Sequence, residues 1–389
     1  MKPTKYRLLI GSLYFNYIFQ GMAAIILSQN MTELKNQWQA STTQVTLVMS
    51  AIGFGRILSL YFSGYFSDTF GRRKTVIIAI LSYALFFFGV LYSPNYQTAF
   101  FFAMFGGVSN AFLDTSTYPT LVEAYPDEKT NSSLSVLNKA FISLGQFILP
   151  FILCAVCLLA NLGYLAFAKF PPLSSLPTEI VDEPISSSSK IINRGIFKID
   201  GIALLVFSFV SVSIFNIFIL WIPQYAEAMH VASHENSLIF VSLYSVGSFV
   251  SVFFTSGIVK KGVNIPKLIS FCVAISGLSL VWMLLSPSFI STVIAALAIG
   301  IFAAGGIWQL GLALMLELFP SRKGRYTSYY SLATSTSVMI TPYITGIISN
   351  KGMEYVFWFD VFLILLGFIA SLVIQQRYKF LNLEKPIKN

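Results

Sequence analysis

Three observations predict an all-α membrane protein built as two pseudo-symmetric helical bundles, nominally twelve helices. Apolar runs of about 18 residues or more, long enough to cross a bilayer, recur along almost the whole 389-residue chain. Lys and Arg gather at alternate ends of these runs. Short patterns in the first half return, in order and at nearly the same offsets, in the second. Length alone would suggest two or three soluble domains, but with 56% hydrophobic and 11% charged residues the recurring spans override that prior.

The elements follow in chain order. The first run, 7–29, comes after a basic start, as a signal peptide would. It is too long for a signal h-region and is interrupted by Asn16 and Gln20, so it reads as a retained span. Spans then cover 42–66, 75–93 and 97–125. Residues 170–198 hold Pro171, Pro172, Pro177, Pro184 and the run Ser186 to Ser189, a linker composition. Beyond it lie 199–223, 236–259, 266–286, 289–318, 327–349 and 355–376. The expected organisation is an N-terminal helical bundle at 1–169, a cytoplasmic linker at 170–198 and a C-terminal helical bundle at 199–389.

The segment 132–169 is the exception. After Pro342 the second half runs on to Arg377, enough for the end of one span, a turn and another span; after Pro150 the first half has far fewer residues before Lys169. Two spans and a turn need roughly 40–45 residues. Yet Lys129 and the basic linker both belong inside, which requires an even number of crossings. Two readings fit: a shortened helix 5/helix 6 hairpin that stops below the outer surface, or a deletion that leaves a damaged protein.

The net charge of +9 could suggest nucleic acid. Its distribution excludes that. Bases cluster at Lys2, Lys5 and Arg7, at Arg72 to Lys74, in the linker, at Lys260, Lys261 and Lys267, at Arg322, Lys323 and Arg325, and at the C-terminus. The intervening loops carry only Lys35 and Lys351. This is the positive-inside pattern, with both termini cytoplasmic and the lipid bilayer as partner. The expected location is the plasma membrane of a bacterium, multi-pass and as a monomer.

Cys154, Cys157 and Cys272 fall in apolar segments and read as packing, because no second Cys or His pair supports metal chemistry at Cys154-x-x-Cys157. His230 and His234, in an outer loop, read as solvated, and Asn30-Met31-Thr32 is a sequon only in a glycosylating host. No metal cluster, nucleophile–base pair or phosphate loop marks an enzyme, and no cofactor is expected. Without a Walker sequence, an ion gradient is the expected energy source.

The repeat is legible in pairs. Phe62-Ser63-Gly64 ends one span and Thr255-Ser256-Gly257 its counterpart; Glu123-Ala124-Tyr125-Pro126 answers to Glu317-Leu318-Phe319-Pro320. The richest stretch runs from Ser63 to Thr75. Gly64 is expected to let two helices approach, Asp68 to end its helix, and Gly71 to permit a tight turn, with Arg72, Arg73 and Lys74 holding that turn on the cytoplasmic side. The pattern G-x-x-x-D-x-x-G-R-R-K, lying between the second and third spans, resembles the signature loop of the major facilitator superfamily of transporters. The resemblance implies the major facilitator fold and secondary transport, with the solute site between the halves near the midplane. Asp68, Arg72 and Arg73 are expected to pair as an inner gate, with Glu123 and Glu317 as gate or structural acids nearby.

Charges inside a bilayer are costly unless paired or wetted, and each is a candidate for function. Arg56 lies about 12 residues before Asp68 and Asp114 about 12 before Pro126, so at 1.5 Å per residue both sit ~18 Å from the cytoplasmic edge. Gln20 reaches a similar level, Lys139 is slightly shallower, and Asn16 shares the first span with Gln20. Asn110, Asp114 and Tyr118 fall at i,i+4 spacing on one helix face. The group reads either as a structural ion pair or as a polar wall with Asp114 as proton or solute carboxylate, countered by Arg56 or Lys139. Leu113-Asp114-Thr115-Ser116-Thr117-Tyr118-Pro119 is similar to the L-E-T-A-A-N-P segment of the fucose permease branch, whose acid is tied to proton coupling and sugar recognition. Tyr118 departs from the Asn there, and Asn16 and Gln20 stand where that branch has a second acid. Gly145 to Pro150 lacks most of the glycine-rich span-5 motif of the drug antiporters. In the second half Asn216, Trp221, Trp308 and Gln309 are the candidate cavity residues, Trp308 matching Asp114 in the repeat, and Asp360 is expected to reach the interface. The resemblance implies a proton-linked importer of a small polar metabolite, a sugar or organic acid; a drug or metabolite efflux antiporter and a truncated inactive member are the alternatives.

Overall fold

The computed structural model describes residues 6–124, 128–148, 165, 195–260, 263–319 and 323–381. Among them the regular structure is helical. In order these are α1 (Arg7–Gln29), α2 (Met31–Trp38), α3 (Thr42–Phe70), α4 (Arg72–Leu91), α5 (Tyr96–Ala124) and α6 (Glu128–Ile148). A π-turn at Phe197–Gly201 leads into α7 (Ile202–Ala228), followed by α8 (His234–Lys260) and α9 (Ile265–Leu285). The last are α10 (Phe289–Ala298), a π-turn at Ile299–Ala304, α11 (Ile307–Leu318), α12 (Lys323–Ile348) and α13 (Met353–Phe380). Eight helical segments of the described residues are long and apolar enough to cross a bilayer. The expected hairpin over 132–169 is seen only as far as Ile148; its remainder and nearly all of the linker lie outside the described residues.

Two expectations need correction. The run 289–318 is not one unbroken α-helix: Gly305 and Gly306, the latter at φ +111°, part α11 from the π-turn. Carbonyls freed there are taken by α8, where the Ser251 hydroxyl donates to Ile301 O at 2.6 Å and Thr255 to Gly305 O at 2.7 Å. Also, α3 does not end at Asp68 but continues to Phe70, and Gly71 at φ +90° makes the turn, a backbone state that glycine adopts without penalty. The segment after Asn30 forms α2, which buries Met31, Leu34 and Trp38 and anchors through the Trp38 indole donating to Ser93 O at 3.1 Å.

In the first half, α5 packs on α3 and α4, and α1 on α6; in the second, α13 packs on α7 and α9. The halves meet where α3 faces α12 and α6 faces α8. Gly53 makes the first contact possible, since a Cβ there would run into the backbone of Met339. Thr43 donates to Gly346 O at 3.2 Å, Asn350 donates to the Thr43 hydroxyl at 3.1 Å, and Gln224 donates to Ser28 O at 3.0 Å. These contacts lie toward the end opposite Arg72 and Arg377. Thr46, Gly53 and Gly64 share one stripe of α3. Thr46 touches Gly346, yet nothing lies within 4 Å of a Cβ at Gly64, and Tyr61 beside it is 80% exposed. The halves therefore diverge toward the basic end, and Gly64 mediates no close approach in this conformation.

Gly53→Leu should open the seam. A cysteine placed at Thr43, with the native cysteines replaced, should then react about tenfold faster with an impermeant maleimide, the change produced by ~1.4 kcal/mol in the conformational balance. Unchanged reactivity would mean that the seam does not depend on this approach.

Candidate functional site

One face of α5 organises the interior of the first half. Gly107 brings α5 against the backbone of Ile52 and Arg56, where a side chain would collide. With the helices this close, Arg56 Nη2 donates to Asp114 Oδ2 at 2.9 Å, and the two side chains are only 14% and 19% exposed. From α1 the Tyr17 hydroxyl donates to Asp114 Oδ1 at 3.0 Å. A turn away on either side, Asn110 accepts from Tyr83 on α4, and Tyr118 accepts from the Asn138 amide on α6. The i,i+4 row thus ties α5 to four other helices. Of the two counter-charges considered, Arg56 is the partner of Asp114. Lys139, buried on α6, instead places its ammonium 4.4 Å from the ring centroid of Phe215 on α7.

Other candidates from the first half have mixed fates. Asn16 is fully buried and donates to Ser12 O at 3.2 Å, a local helical bond. Gln20 Oε1 is buried with no partner among the described residues, and so are Asn138 Oδ1, Gln146 Oε1 and Arg56 Nε. Such atoms are costly when left unmade. Here they mark hydrogen-bonding capacity that water or a solute could fill.

The second-half candidates differ in burial. Trp221 is fully buried and donates to Thr345 at 2.8 Å, so it lines no cavity. The half-buried Trp308 donates its indole N–H to Thr334 at 2.7 Å, and its backbone carbonyl accepts from Tyr330 at 3.0 Å. Asn216 and Gln309 are half-buried. Asp360, expected at the interface, is fully buried, and neither carboxyl oxygen has a partner among the described residues. It lies on the face of α13 that carries Phe357 and Ile364, which pack on Phe218 and Gly277.

At the basic end Arg72 is the hub. It is 8% exposed and reaches Asp68 at 2.6 Å, Ser67 at 2.7 Å and Glu123 at 3.1 Å. Arg73 and Lys74 are exposed; Lys74 lies 5.8 Å from the Phe70 ring, and Arg73 takes no part in the pairing. Glu317 accepts from Tyr378 at 3.0 Å. The second half has its own pair, missed from sequence: Arg377 donates to buried Asp200 at 2.8 Å, joining the two ends of the half. Tyr17, Tyr83 and Asn138 were missed as well. Their only signal was position, since Tyr17 follows Asn16 and Asn138 precedes Lys139.

Eight described segments long and apolar enough to cross a bilayer, with an ion pair buried among them, define the class as a multi-pass membrane protein. The family model described as Major Facilitator Superfamily matches residues 13–288 and 204–386. The chain is 33% identical over 381 residues to the inner membrane transport protein YdiM of Escherichia coli (strain K12), covering 94% of this chain and 93% of that one. In fold it is similar to the crystal structure of a D-xylose-proton symporter, with a TM-score of 0.72 at 15% identity over 95% of this chain and 97% of that one. The partially occluded inward-open xylose transporter XylE from E. coli also gives 0.72, at 13% identity over 94% and 96%. The chain belongs to the major facilitator superfamily. The span-4 likeness to the fucose permease branch is not reflected in these relatives.

Two stability tests bear on the buried acids. Arg56→Met leaves a buried carboxylate uncompensated and should cost ~3–5 kcal/mol of stability, more than Arg56→Met combined with Asp114→Leu. Thermal unfolding in detergent would decide; equal losses would show that the pair carries little coupling. Asp360→Val, which removes a buried acid with no partner among the described residues, should raise stability by roughly 1–3 kcal/mol. A lower melting temperature would show that the Asp360 carboxyl makes a stabilising contact.

Proposed function

We propose that this protein imports a small polar metabolite, a sugar or an organic acid, across the bacterial plasma membrane by proton-linked alternating access. The observation that carries the reading is the Arg56–Asp114 pair at mid-depth, completed by Tyr17. A partner cation favours the charged carboxylate, and separation from it favours the neutral acid. Any movement that withdraws Arg56 therefore changes the proton occupancy of Asp114. The D-xylose-proton symporter of similar fold gives the coupling ion a precedent.

The charge pattern supports a cytoplasmic position for both termini and the basic loops. With the halves joined at the far end and divergent at the basic end, this conformation faces inward, and the intact ion pair corresponds to the state after proton release. In the opposite state Gly64, open here, would take the place that Gly53 holds against α12. The 1–169 and 199–389 bundles are the moving bodies, the cytoplasmic linker joins them, and a monomer suffices.

The experiment uses membrane vesicles holding the full chain, given a small-molecule cell extract and an inward proton gradient, with accumulated compounds identified by mass. Wild type should accumulate at least one solute, and a protonophore should abolish it. Asp114→Asn should remove accumulation while retaining part of downhill exchange. Accumulation that persists in Asp114→Asn would return the pair to a structural role, and gradient-driven depletion would make the protein an efflux antiporter.

A further inference from the structure

We infer that the transported solute is a small organic monoanion carrying hydroxyl groups, and that Lys139 binds its negative group. The inference rests on the reading of the space between the halves as the solute path. At this depth the described residues supply two cations, Arg56 and Lys139, and one acid, Asp114. Arg56 uses that acid. Lys139 is 8% exposed, and among the described residues it has the Phe215 ring and no carboxylate.

Its direction is fixed by its own helix. Ser143, one turn along α6, bonds Ser248 of α8 at 2.8 Å, so this face of α6 looks at the other half. The ammonium reaches across the same divide to Phe215 on α7. A ring face attracts a cation through its quadrupole, more weakly than a carboxylate would. An uncharged solute would leave the Lys139 ammonium without an opposite charge beside it, whereas a monoanion supplies one. Next to Lys139 in the chain, Asn138 Oδ1 is a buried acceptor with no donor among the described residues, and Gln146 Oε1, two turns along α6, is another. Acceptors of this kind call for hydroxyl hydrogens on the solute. Drawing Lys139 off Phe215 would also undo a contact between the halves, linking occupancy to the conformational balance.

The vesicle experiment tests this when accumulated compounds are sorted by charge at neutral pH. The expected result is that those accumulated by wild type carry one negative charge, that Lys139→Gln loses at least about tenfold of their accumulation, and that Lys139→Arg retains most of it. Accumulation of neutral or cationic solutes by wild type overturns the anion assignment while leaving proton-linked import standing, and needs no variant to fold. Wild-type behaviour in Lys139→Gln overturns the role of Lys139. If no compound of any charge accumulates, the import reading fails and this inference with it.

Discussion

An acid and a base buried at mid-membrane hold only while the helices that carry them stay close. That constraint orders the first half of this protein. α5 can carry Asp114 because Gly107 lets it lie against α3 at Arg56, and because Tyr17 closes the second carboxyl oxygen. Asn110 and Tyr118 extend the same face to α4 and α6. In hydrocarbon there is little hydrophobic force between helices, so close packing and side-chain hydrogen bonds must do the joining.

The second half meets the same requirement with neutral groups. Ser208 bonds Thr334 at 2.9 Å, Ser213 bonds Ser337 at 2.8 Å, and Trp221 bonds Thr345, all between α7 and α12. Its ion pair, Asp200–Arg377, stands at the basic end. The π-turn before Gly305 is absorbed by hydroxyls of α8. The two halves share an architecture but join their helices differently: a buried ion pair links α3 and α5 in the first, and hydroxyl bonds link α7 and α12 in the second.

The seam between the halves is built from small residues and single hydrogen bonds at one end, and from Ser143–Ser248 and Lys139–Phe215 nearer the middle. Contacts of this kind are individually weak and can be exchanged for others. A balanced equilibrium between two end states needs that property.

Much of the architecture was legible in the sequence, because a bilayer allows few solutions: a span is an apolar run of fixed length, and basic residues report the side. α1, α4 and α5 begin and end within a few residues of their apolar runs for this reason. The depth of Arg56, Asp114 and Lys139 also followed from counting residues along a helix. What counting could not supply was azimuth. Whether Asp114 met Arg56 or Lys139, whether Trp221 lined a cavity or bonded Thr345, and whether Asp360 reached the interface or was buried depended on how each helix was rotated against its neighbours. Rotation is set by glycine contacts such as Gly53 with Met339, between residues far apart in the chain. Composition and periodicity determined that this chain crosses a membrane as paired helical bundles; only tertiary packing decided which buried charges face one another, because that choice is made between helices and leaves no pattern along any one of them.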